Sequence, residues 1–135
     1  MSRRTVLIVD DEAAQRDLMR GILQQESWSV LEASDYQEAL AVQQQHPGEI
    51  AVLVIDLRLP GGNGFDLSKS LLAREPHLKV LFVSGQAGAE LRRFLDVTVP
   101  EVHFLQKPFQ PPELLEHVKA VLESAGPFVD TAREG

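Results

Sequence analysis

Strand-like and helix-like segments alternate five times along the chain, which predicts an α/β sandwich: a parallel sheet with right-handed crossovers and helices on both faces. Two observations carry that prediction. The first strand candidate, Thr5-Val6-Leu7-Ile8-Val9, is a continuous β-branched and apolar run, the pattern of a strand buried on both faces. The stretch after it, from about Ala13 to Glu26, repeats Leu18, Met19, Ile22 and Leu23 at three- and four-residue spacing and so forms one apolar helical face.

The other elements follow in order. Trp28 to Glu32 reads as a second strand. Asp35 is a candidate N-cap, with Glu38 one turn on, for a helix reaching about Gln45 and stopped by His46-Pro47-Gly48. Ala51 to Ile55 is the third strand and runs into Asp56. A loop with Pro60, Gly61, Gly62 and Gly64 comes next, then a helix from Phe65 to Arg74 ended by Glu75-Pro76. Lys79 to Ser84 is the fourth strand. A helix over Ala89 to Leu95 is expected, bounded by Val97, Thr98, Val99 and Pro100, which oppose helix. Val102 to Leu105 is a short fifth strand. Pro111 and Pro112 suit a first helical turn, and Leu114, Leu115, Val118, Val121 and Leu122 give the last helix its stripe. From Gly126 the apolar periodicity lapses, so residues 126–135 read as a tail or linker after a single domain at 1–125.

Composition narrows the function classes. The 135 residues are 44% hydrophobic, enough for one real core and too few for two domains. There are no cysteines, which excludes disulfides and thiolate metal sites and is compatible with a reducing cytosol. A formal net charge of −7 disfavours direct nucleic-acid binding. The longest apolar run, Ile50 to Ile55, is far short of the roughly 20 residues of a membrane span. No signal-peptide pattern precedes the first strand, so a soluble cytoplasmic domain is expected.

Ligands of open α/β sheets bind outside the carboxyl ends of the strands. Strand one ends in Asp10-Asp11, strand three in Asp56, strand four in Ser84, and Lys107 follows strand five. If strands one and three are neighbours, three carboxylates converge, and their repulsion calls for positive compensation. Lys107 supplies one charge, and a hard divalent cation held by carboxylate and carbonyl oxygens, with water, supplies the rest. A carboxylate beside a cation and a lysine is also a nucleophile toward a phosphoryl donor, with the Ser84 hydroxyl placed to bond a phosphoryl oxygen.

The pieces Val9-Asp10-Asp11-Glu12, Asp56-Leu57-Arg58-Leu59-Pro60 with Gly64, Ser84-Gly85 and Lys107-Pro108-Phe109 resemble the receiver domains of bacterial two-component response regulators. Each piece alone is common; all four, in order and each at a strand end, are specific. The resemblance covers Thr5 to Ser124 and implies a flavodoxin-like (βα)5 three-layer sandwich whose five-stranded parallel sheet has the order 2-1-3-4-5. It further implies Asp56 as phosphoacceptor and Mg²⁺ or Mn²⁺ held by Asp11, Asp56 and the Arg58 backbone carbonyl, with Asp10 acting through water. Ser84 and Lys107 would read the phosphoryl group, Lys107-Pro108 would be a cis peptide, and Ser84 with Phe104 would form the switch. Arg58 and Gln86, flanking the group, would tune its lifetime.

In such a module a histidine kinase or phosphotransfer domain supplies the phosphate. The face of helix four, strand five and helix five then controls an output domain or partner. The chain catalyses only its own phosphorylation and dephosphorylation, so it is not an enzyme in the usual sense. A homodimer through that face is left open. The segments Leu81 to Gly85 and Phe104 to Phe109 also resemble receivers attached to hybrid histidine kinases.

Blander readings stand beside these. Asp10-Asp11 suits a solvated helix N-terminus, Ser84 a turn, and Phe104 a core position. An aspartyl-nucleophile phosphatase shares the logic but wants a second acid where Arg58 stands. A pseudo-receiver would have a damaged site, and a flavodoxin-like nucleotide binder would show a phosphate loop after strand one. The glycines at 61, 62 and 64 lack the pattern that cradles nucleotides.

Overall fold

The computed structural model describes residues 4–85 and 103–123. Its strands β1 (Thr5–Val9), β2 (Ser29–Ala33), β3 (Ile50–Asp56), β6 (Lys79–Ser84) and β7 (Phe104–Gln106) form one parallel sheet in the order β2-β1-β3-β6-β7. Relabelled by sheet strand alone, this is the expected 2-1-3-4-5. Between β3 and β6 lies a two-stranded antiparallel hairpin, β4 (Arg58–Leu59) and β5 (Gly62–Asn63). The helices are α1 (Ala13–Gln24), α2 (Tyr36–Gln45), α3 (Gly64–Arg74) and α4 (Pro111–Glu123). The helix expected at Ala89 to Leu95, Gln86, and the tail at 126–135 lie outside the described residues.

Successive strand side chains point to opposite faces, so a strand covered on both sides has no polar position to spare. Along β1, Leu7 and Val9 join Leu53, Ile55 and Phe82 in the core beneath α2 and α3. Val6 and Ile8 join Val54, Leu81 and Val83 on the other face, beneath Met19 and Leu23 of α1 and Leu114 and Val118 of α4. Each fully buried Leu, Ile, Val or Phe contributes roughly 1.5–3 kcal/mol. The double-sided core therefore makes the strands a firm base, and their carboxyl ends inherit that rigidity.

Local chemistry sets the element boundaries. Asp35 caps α2 by accepting the Glu38 N–H at 2.7 Å, while the Glu38 carboxylate accepts the Ser34 N–H at 2.6 Å. The reciprocal cap thus closes one residue earlier than the Asp35–Glu38 pairing alone implies. Helix α1 ends at Gln24, short of the expected Glu26, because the next amides turn back by tighter bonds and Ser27 adopts a left-handed φ of 64°. Leu18, expected on the buried face, is instead 50% exposed: it sits at the edge of the stripe, which centres on Met19, Ile22 and Leu23. The second sheet strand lies one residue later than expected, at Ser29–Ala33, and the fifth starts two residues later and ends one later, at Phe104–Gln106, with Val102 outside the described residues.

The hairpin and α3 are set by Gly64, already singled out in the loop, and by Asn63, which the loop reading passed over. Asn63 caps α3 by accepting the Asp66 N–H at 2.8 Å. Gly64 donates its N–H to the Leu57 carbonyl at 2.8 Å, and a Cβ there would stand 2.2 Å from the Asp56 carbonyl oxygen. No side chain fits that approach. Gly64→Ala is expected to destabilise the domain by about 1–3 kcal/mol, the usual cost of overpacking, whereas Asn63→Ala should cost about 1 kcal/mol as a lost cap. Urea unfolding of the two variants checks the order; a Gly64→Ala midpoint equal to wild type would refute the contact.

Candidate functional site

The end of β1 delivers Asp10, which is fully buried. Its N–H donates to the Ala33 carbonyl at 3.1 Å and its Oδ1 accepts the Glu12 N–H at 2.9 Å. The end of β3 delivers Asp56, whose Oδ1 accepts the Arg58 N–H at 2.9 Å. Lys107, just past β7, bridges the two: its Nζ lies 2.9 Å from Asp10 Oδ2 and 2.8 Å from Asp56 Oδ2. The Lys107 amide also donates to the Ser84 carbonyl at 2.8 Å, so the ends of β6 and β7 are joined at the same level. The Lys107–Pro108 peptide is cis.

These groups open onto a pocket of about 550 Å³ lined also by Asp11, Glu12, Arg58, Pro60, Ser84 and Gly85. Asp56 is 12% exposed at its side chain and faces this space, whereas the Asp10 side chain, at 1%, lies behind it. Ser84, also in the lining, is buried. Phe104 is partly buried, beside Phe82 in the register of β6 and β7, and packs on the core under α2 and α3. Of the residues singled out from the sequence, Asp10, Asp11, Asp56, Arg58, Ser84 and Lys107 meet here. Gln86 falls outside the described residues.

One lysine serving two carboxylates leaves the site short of positive charge. Burial pushes the Asp56 carboxyl above its usual range, and the nearby Asp10 charge adds to this; the bonds from Lys107 and the Arg58 amide only partly offset it. Burial alone would lower the Lys107 ammonium, but the two carboxylates outweigh it and hold the group above its ordinary value. The charged form of Lys107 is therefore favoured, while the charged form of Asp56, which faces the pocket, is disfavoured.

Three carboxylates were expected to converge, and the arrangement is looser. Among the described residues, no three His, Cys, Asp or Glu side chains close on one point. Asp10 is turned toward Lys107 and the Glu12 amide, and Asp11 stands exposed at the pocket wall. What faces the pocket is a set of hard oxygen donors with surplus negative charge, Asp11 and Asp56 foremost. That set fits a Mg²⁺ that keeps several waters, since this ion is commonly bound through one or two carboxylates. It does not form a closed protein cage.

Sequence reasoning missed Arg16, whose Nη1 donates to the Asp10 carbonyl at 2.6 Å. A side chain reaching back from α1 to a main-chain oxygen has no signature in residue spacing. The hairpin was missed as well, since two-residue strands are too short for periodicity to register.

Comparison with known proteins places this geometry. Residues 6–119 match the model of the response regulator receiver domain. The chain is 33% identical over 125 residues to the response regulator GtcR of Aneurinibacillus migulanus, covering 93% of this chain and 50% of that protein. It is 37% identical over 121 residues to the sensor kinase CckA of Brucella abortus, covering 88% of this chain and 12% of that one. It thus spans about half of the first relative and a small part of the second. Among solved structures it is similar to the non-phosphorylated HemR receiver domain of Leptospira biflexa, with a TM-score of 0.76 and 32% identity, covering 93% of this chain and 98% of that one. Because the matched span takes in all five strands of the sheet and every group around Asp56, the chain belongs to the response regulator receiver domain family.

Proposed function

We propose that this chain is the phosphoacceptor receiver of a bacterial two-component phosphorelay, taking a phosphoryl group on Asp56 from a histidine kinase or phosphotransfer domain. Receiver domains are signalling modules of two-component systems and not enzymes in the ordinary sense. The observation that carries the finer reading is Asp56 at the end of a central strand, partly desolvated, open to a pocket and held 2.8 Å from Lys107.

The chemistry follows from those positions. An Asp56 carboxylate oxygen attacks phosphorus, a new P–O bond forms, and the bond to the donor breaks with its electron pair leaving on the donor. Lys107 stays charged through this step and neutralises the phosphoryl oxygens as charge gathers on them. The Ser84 hydroxyl, on the pocket wall, donates to one of them. A Mg²⁺ or Mn²⁺ at Asp11, Asp56 and the Arg58 carbonyl, with Asp10 contributing through water, would supply the remaining positive charge. The reaction turns over only on the chain itself, in formation and in hydrolysis of the acyl phosphate.

Ser84 and Phe104 form the switch in this reading. Movement of the hydroxyl toward the phosphoryl group makes room for the ring and alters the surface to which β7 and α4 contribute, together with the helix expected at Ala89 to Leu95. That surface meets the output domain or partner protein and is where a homodimer would form. Residues 1–125 are the receiver and 126–135 its tail or linker. A cytoplasmic setting, without direct nucleic-acid or membrane contact, suits the net charge of −7 and the finding that, among the described residues, no helix is long and apolar enough to cross a membrane.

Three measurements test this reading. Acetyl phosphate with Mg²⁺ should give one phosphoryl adduct by intact mass, absent in Asp56→Asn and without metal. No adduct under any divalent ion would overturn the reading, and an adduct surviving in the variant would move the acceptor elsewhere. The second concerns stability. With its folded pKa above the unfolded value of 3.8, Asp56 favours the fold while protonated, and that contribution is lost as pH rises from 3.8 through the folded pKa. Ionised Asp56 is therefore a net cost at neutral pH. In EDTA at pH 7, Asp56→Asn should melt higher than wild type, and the gap should close near pH 4; a variant melting lower at pH 7 would contradict it. The third concerns lifetime: Arg58→Ala and Gln86→Ala should each lose the phosphoryl group several-fold faster, and unchanged half-lives would remove both from that role.

A further inference from the structure

Asp10 is held through each of its polar groups by a different part of the chain: β2 takes its N–H, the Glu12 amide and Lys107 take its carboxylate, and Arg16 takes its carbonyl at 2.6 Å. The last bond is the informative one. That carbonyl belongs to the peptide joining Asp10 to Asp11, so the guanidinium fixes the rotation of the plane from which Asp11 departs toward the pocket. Arg16 is itself held from behind: its Nε lies 3.5 Å from Glu32 Oε1, and the other Glu32 oxygen accepts from Arg20 at 2.6 Å. Helix α1 has no side-chain cap at Glu12 and no acid in its first turn; besides Arg16, the Glu12 amide on Asp10 Oδ1 ties the helix start to this corner.

We infer that Arg16 is a positioning residue for the Asp10-Asp11 acid pair, setting the direction in which Asp11 is offered to a divalent cation. The inference rests on the metal-assisted reading above. A planar guanidinium that bonds a carbonyl with one nitrogen and lies beside a carboxylate with another is pre-organised in a way that a lysine is not. Groups that hold metal ligands in place typically account for 10–100-fold in affinity.

A simple charge effect has the opposite sign. Removing a cation beside an acidic site should tighten binding of Mg²⁺, whereas removing a positioning residue should weaken it. The test is calorimetric titration of the unphosphorylated chain with Mg²⁺, repeated with Mn²⁺. Arg16→Met is expected to bind about tenfold more weakly than wild type. Arg16→Lys, which keeps one donor for the carbonyl, should recover part of the loss. Arg20→Met, which keeps the bond to Asp10 but loosens Glu32 behind Arg16, should lose less than Arg16→Met. Equal or tighter binding by Arg16→Met, with a native unfolding transition, would overturn the assignment, as would a loss in Arg20→Met equal to that in Arg16→Met. A wild type that binds neither cation would overturn the metal-assisted reading itself, and the assignment with it.

Discussion

The whole arrangement depends on one ammonium group placed between two carboxylates. Lys107 ties the end of β1 to the end of β3 and reaches them from beyond β7, so three strands converge on its Nζ. Both ion pairs are largely desolvated, so losing the lysine, which would leave two buried carboxylates uncompensated, is far more costly than losing a surface pair. The lysine satisfies both acids in geometry but only one of them in charge. The deficit falls on Asp56, the one open to the pocket, and Asp10 behind it adds to the field. Fold stability and the proposed role of Asp56 therefore pull against each other at a single carboxylate.

The fold supplies the conditions for that balance. A sheet covered on both faces leaves its strands immobile and apolar along their length, and polar groups collect where the strands end. The hairpin after β3 then folds back over the site, with Gly64 packed against the Asp56 carbonyl and Arg58 brought to the pocket wall. Position along the chain and position in the pocket are linked through these short connections.

Much of this was legible in the sequence because it follows from periodicity and from chain order. Continuous apolar runs such as Thr5 to Val9 and Lys79 to Ser84 located strands to the residue, and the acids and lysine at their ends followed from the parallel sheet. Legibility failed where geometry depends on contacts that spacing does not encode. The apolar repeat of α1 included Leu18, yet the buried stripe is narrower because its neighbours cover only Met19, Ile22 and Leu23. Asn63 was lost among glycines although it caps a helix. Three acids at strand ends suggested equal partners, but the lysine and the Glu12 amide turn Asp10 inward and leave Asp11 outside. Arg16 could not be read at all, since its partner is a main-chain oxygen.

The edge strand has a consequence for how events at the pocket travel. Strand β7 pairs through three residues and on one side only, among the described strands, while β1, β3 and β6 are held on both. Its last tie is the amide of Lys107 on the carbonyl of Ser84. Ser84 and Lys107, the pair proposed to bind the phosphoryl group, are thus fastened to each other and to the sheet's most weakly anchored member. Local opening costs least where the fewest bonds must break. In the proposed switch, strain at the pocket would therefore be relieved first along this edge, with the rest of the sheet as the frame it moves against.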